Sequence, residues 1–106
     1  MRVTVSHGQP KEDVKRAVNQ SLDDVFKALP GLLPMQIVNQ RKAWQGDTLN
    51  FSFDAKAGII STPIKGFVYV TERDLTIDAD LGVFERLLSR KKTREMIETR
   101  VKGLLT

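Results

Sequence analysis

Val3 and Val5 alternate with polar neighbours between Arg2 and Ser6, which predicts a short strand with one apolar face. After a turn at His7-Gly8, Pro10 suits the first position of a helix, because its missing N–H would be unpaired there anyway. Glu12 and Asp13 then complement the positive helix end. Val14, Val18, Leu22, Val25 and Leu29 recur at steps of three and four, which makes one apolar stripe on a helix of about five turns. Pro30-Gly31 stops that helix.

Leu32 to Gln36 reads as a loop, and Ile37 to Trp44 as a strand of mixed polarity. Gln45-Gly46-Asp47 turns the chain, and Thr48 to Asp54 follows as the clearest strand. It places Leu49, Phe51 and Phe53 on one face and Asn50, Ser52 and Asp54 on the other. A longer extended segment, Ile59 to Thr71, contains Pro63 and Gly66, which suggest an edge, a bulge or a bend. Glu72-Arg73-Asp74 makes the next turn, and Leu75 to Leu81 alternates again, with Thr76, Asp78 and Asp80 facing away from Leu75, Ile77 and Ala79. Ile97, Val101, Leu104 and Leu105 share a helical face that Phe84 and Leu88 do not. A break between Leu88 and Thr93 is therefore expected, with Thr93 capping a helix that runs to about residue 104.

The order is strand, helix, four antiparallel strands, helix: a single α+β domain over residues 1–106, with two helices packed on one face of a curved sheet. Such a small core favours a surface groove over a deep enclosed pocket. Phe67 and Tyr69 lie on one face of the long strand, Val68 and Val70 on the other, and Trp44 ends a neighbouring strand. With one sheet face open, Trp44, Phe67 and Tyr69 are candidates for a partner surface, a homodimer contact or a groove for an acyl ligand. The competing reading tucks these rings into the core through sheet twist and the bend at Gly66.

Composition narrows the classes further. Among 106 residues there is no cysteine, which excludes disulfides and thiolate metal sites, and an apolar content of 41% excludes a disordered chain. No apolar run is long enough to span a membrane and the start lacks a signal-like stretch, so a cytoplasmic protein is expected. The net charge is +4, and residues 83–106, with seven basic and three acidic side chains, carry all of the excess. Arg90, Lys91, Lys92 and Arg94 come immediately before and within the first turn of the predicted last helix. There they oppose the macrodipole, at about 0.3 to 1 kcal/mol each. An anion would reverse that cost, which makes the segment a candidate anion or nucleic-acid site; a solvated helix face is the simpler reading.

Little else in the chain carries chemistry. His7 is the single histidine, with no nucleophile elbow, dyad or metal pair around it in sequence, and is expected to shape its turn. Asp78 and Asp80 project from one strand face and could share a proton or cation, although exposed strand carboxylates usually do neither. The seven glycines are scattered singly, so no phosphate loop is present. No catalytic residues, cofactor or metal are expected, and the chain reads as non-enzymatic.

Several stretches carry a family resemblance: His7-Gly8 before an amphipathic helix, Trp44-Gln45-Gly46-Asp47-Thr48-Leu49-Asn50-Phe51, Ile64-Lys65-Gly66-Phe67-Val68-Tyr69-Val70, Ala79-Asp80-Leu81-Gly82 and Ile97-Glu98. Over nearly its whole length the chain resembles the polyhydroxyalkanoic acid system proteins, short bacterial proteins often encoded near polyester-granule genes. The resemblance implies an accessory role in polyester storage, with a granule surface, an acyl ligand or a protein as partner, and it brings no catalytic residues. The expected architecture is also similar to a small helix-grip fold.

Overall fold

Every alternating segment of the sequence joins one antiparallel sheet in the computed structural model, which describes residues 1–27 and 36–105. The strands β1 (Arg2–Ser6), β2 (Gln36–Gln45), β3 (Thr48–Ala57), β4 (Ile60–Val70) and β5 (Asp74–Asp80) lie in the order β1-β5-β4-β3-β2. The helices are α1 (Lys11–Phe26), α2 (Phe84–Leu87) and α3 (Arg90–Leu104). The fold is α+β as the pattern predicts, with the single turn of α2 in addition. Strands β2 to β5 form a meander because two-residue turns join β2 to β3 and β3 to β4. In the first of these, Gly46 takes φ +59, a left-handed conformation that glycine adopts without steric cost.

Directly opposed residues of an antiparallel ladder share a face, so the register sorts the side chains. One inward row runs Val3, Ile77, Val68, Leu49, and another Val5, Leu75, Val70. Against these rows pack Val14, Val18, Leu22, Val25 and Phe26 of α1, Phe84 of α2, and Ile97 and Val101 of α3, all buried. Phe26 closes the α1 end, its ring 5.7 Å from that of Phe51 and 5.6 Å from that of Phe53. Leu29, the Pro30-Gly31 stop and most of the Leu32 to Gln36 loop lie outside the described residues.

Three details differ from the expectation. The helix break falls at Leu88, which is extended, but α3 starts one turn earlier than predicted. Its cap is Ser89, whose Oγ accepts from the Lys92 N–H at 3.3 Å. Thr93 instead lies four residues before Ile97 on the buried face, 1% exposed, and its Oγ1 has no hydrogen-bond partner among the described residues.

In β2 the register slips between Val38 and Arg41, so Asn39 and Gln40 together face Phe53. Asn39 takes φ 55 there and donates from Nδ2 to Asp54 Oδ2 at 2.8 Å. In β4, by contrast, Pro63 and Gly66 produce no bulge, since the ladder to β3 is unbroken from Ile60 to Tyr69. The β5 ladder begins only at Lys65, so Pro63 occupies a stretch with one strand neighbour, where a missing N–H is tolerated.

Candidate functional site

The face of the sheet opposite the helices is a grid of cross-strand rows. From β2 to β1 they read Gln45, Thr48, Tyr69, Thr76, Thr4, then Ala43, Asn50, Phe67, Asp78, Arg2, and, ending at β5, Arg41, Ser52, Lys65, Asp80. No described helix packs over these rows, which follows from α1, α2 and α3 all burying their apolar sides in the core on the other face. Tyr69 and Phe67 stand two residues apart on β4, the central strand of the five. Tyr69 is 47% exposed and Phe67 is half-buried.

Beside Phe67 the face is hollowed into an open depression of about 530 Å³, lined among others by Arg41, Ala43, Asn50, Ser52, Lys65 and Phe67. Gly66 lies in its floor, between two longer side chains of the same strand. Arg41 and Lys65 have no ion-pair partner among the described residues. Further along the grid the charge is negative and already matched: Asp78 Oδ2 accepts from Arg2 Nε at 3.0 Å, and Asp80 Oδ1 accepts from the Gly82 N–H at 2.9 Å. The two aspartates therefore share a face as expected, each with its own partner.

Trp44 does not belong to this surface. Its rung partner is Leu49, a core residue, so it points to the helix side. The bulge at Asn39-Gln40 is the cause, because one inserted residue reverses every later side chain of β2. Without it, Trp44 would share the open face with Val38. Trp44 instead lies half-buried against α1, where its Nε1 donates to Asn19 Oδ1 at 3.2 Å and Lys15 Nζ sits 5.1 Å from the ring centre. Lys42, on the same side of β2, donates to the Asn19 carbonyl at 2.9 Å and faces Asp23 at 3.4 Å. The expected trio is thus a pair, Phe67 and Tyr69. Two further residues complete the open face: Lys65, which alternation along β4 places on the side of Phe67 and Tyr69, and Arg41, which spacing does not place there because the bulge hides the face on which it falls.

Arg90, Lys91 and Lys92 form the first turn of α3 and Arg94 follows on the next; all four are exposed and unpaired among the described residues. Arg90 and Arg94 border a recess of about 340 Å³ against Met1, Arg2 and Thr4 at the β1 edge. Lys91 and Lys92 do not line it. The unpartnered Thr93 hydroxyl is sealed in the core and adds nothing to this turn. His7 is held in its turn, with Nδ1 accepting from the Gln9 N–H at 3.3 Å and Nε2 2.8 Å from the Thr71 carbonyl. A proton on Nε2 satisfies both contacts.

A family model described as "Putative polyhydroxyalkanoic acid system protein" matches residues 1–105. The chain belongs to that family. Among curated proteins and solved structures nothing matches it. The family match spans β1 to the end of α3, so it includes the open face and the basic turn alike. No described helix is long and apolar enough to cross a membrane.

Proposed function

We propose that the chain is a non-enzymatic binding component of the polyhydroxyalkanoic acid system, acting in the cytoplasm, and that its open sheet face lies against polyester or an acyl chain. The observation that carries this reading is the placement of Phe67 and Tyr69 on the central strand of a face that no described helix covers. A polyester of hydroxy acids presents alkyl groups and uncharged carbonyl acceptors. The two rings offer apolar area to the first, and Arg41, Lys65 and Asn50 offer donors to the second. An open depression suits an extended chain or a polymer surface better than a ligand sealed away from water.

The test is sedimentation with polyester particles, comparing the wild-type chain with Phe67→Thr combined with Tyr69→Thr. Threonine keeps strand propensity at both positions. Each ring withdrawn from water is worth roughly 1.5 to 3 kcal/mol, so binding should fall at least about tenfold. Arg41→Gln with Lys65→Gln, which leaves the rings in place, should weaken binding less. Unchanged binding by the folded ring variant would refute the reading.

A further inference from the structure

A second apolar surface lies at one end of the molecule, away from the open face. Ile59 forms the tip of the β3–β4 turn and is 103% exposed, so it contributes no packing to the fold. The Val83 N–H donates to Thr62 Oγ1 at 3.4 Å, which sets the start of α2 beside β4 only three residues from that tip. Val83 and Leu87 are four residues apart on one side of this turn, 43% and 55% exposed. Phe84, between them, faces inward and anchors α2 in the core. Three aliphatic side chains from two elements thus project at the same end with nothing over them among the described residues.

Most of the flanking charges are positive. Lys56 precedes the hairpin tip, Arg86 adjoins Leu87, and Arg90, Lys91 and Lys92 follow α2 directly; all are exposed and none has an ion-pair partner among the described residues. The carboxylates beside them are both engaged: Glu85 lies 3.4 Å from the N-terminal ammonium, and Asp80 Oδ1 accepts from the Gly82 N–H at 2.9 Å, so the unpaired charge at this end is positive.

We propose that this end docks on an anionic phospholipid surface, with Ile59, Val83 and Leu87 entering the boundary between headgroups and acyl chains and the cations lying among the phosphates. The charge selects the occupant. An uncharged surface would leave five cations unmatched at the contact, and a second copy of the chain would bring the same positive charge against itself. An anionic lipid layer takes up the aliphatic groups and the cations together. The contact is a shallow one, because α2 is a single turn and only side chains reach the layer. It shares no residue with the open face around Phe67 and Tyr69.

Sedimentation of the full chain with vesicles tests this. Binding is expected to vesicles of phosphatidylcholine mixed with phosphatidylglycerol, to weaken as salt is added, and to be absent with phosphatidylcholine alone. Ile59→Ser combined with Leu87→Ser should reduce it at least about tenfold, and because both side chains are exposed the circular dichroism should be unchanged. Lys91→Gln with Lys92→Gln should lower affinity and flatten the salt dependence. Phe67→Thr with Tyr69→Thr should leave vesicle binding intact, which separates this surface from the one assigned to polyester. No binding to the mixed vesicles at low salt, equal binding to neutral vesicles, or full binding by the Ile59 and Leu87 variant would each overturn the proposal.

Discussion

Gly66 sits between Phe51 on β3 and Ala79 on β5, at the centre of the sheet. A β-carbon there would collide with the Asp78 carbonyl oxygen and come within 2.9 Å of Ala79 Cα. Both obstacles are backbone and cannot rotate away, so the strands could accommodate a methyl group only by separating. Gly66→Ala should therefore destabilise the fold by about 1 to 3 kcal/mol, read as a lower urea midpoint with an unchanged slope. Gly8→Ala, with nothing within 4 Å of the new carbon, should shift the midpoint far less. The sequence marks Gly66 as an irregular point in a strand. Whether that point is a bulge or a close approach depends on the distance to β5, which no spacing along β4 encodes. The bulge at Asn39 is as hard to locate: an asparagine tolerates φ 55, yet so would other arrangements of a strand of mixed polarity.

Among the elements, α1 and the β2–β3 turn are tied by charge. Lys11 Nζ lies 2.9 Å and Lys15 Nζ 3.5 Å from Asp47, and Lys15 also donates to the Gly46 carbonyl at 2.9 Å. The hydrogen bond from Lys11 holds the Asp47 carboxyl below its ordinary value of 3.8, and the same bond to Asp47 holds the Lys11 ammonium above 10.5. A carboxylate depressed in the folded state adds stability above its unfolded pKa and loses it as the pH falls through the folded one. The lysine adds stability below its unfolded pKa and loses it as the pH rises through the folded one. The thermal midpoint of the wild type should thus exceed that of Asp47→Asn at neutral pH, and the gap should close as the pH drops below 3.8. A gap that stayed constant into acid would show that Asp47 acts through packing rather than charge. Periodicity predicts α1 and the turn separately, but their pairing requires the crossover that carries the chain from β1 to the far edge of the sheet.

For the whole molecule, the sheet divides labour between its two faces, and Trp44 is the residue that tells them apart. Trp44→Ser should cost about 1 to 3 kcal/mol of stability, through lost contact with α1 and the cation above the ring, and should leave polyester binding intact. Paired unfolding and binding measurements on this variant and on the Phe67 and Tyr69 pair check the division. Loss of binding with unchanged stability in Trp44→Ser would mean that the ring faces outward. By itself the sequence determined the period-two strands, the apolar stripe of α1, the α+β class and the two opposite faces of β4, because alternation and helical spacing are local properties of the chain. Tertiary structure decided where α3 begins, which side of β2 carries Trp44, and that Arg41 and Lys65 line one depression beside Phe67. Those outcomes depend on register between strands, and a single inserted residue in β2 is enough to exchange inside for outside along the rest of the strand.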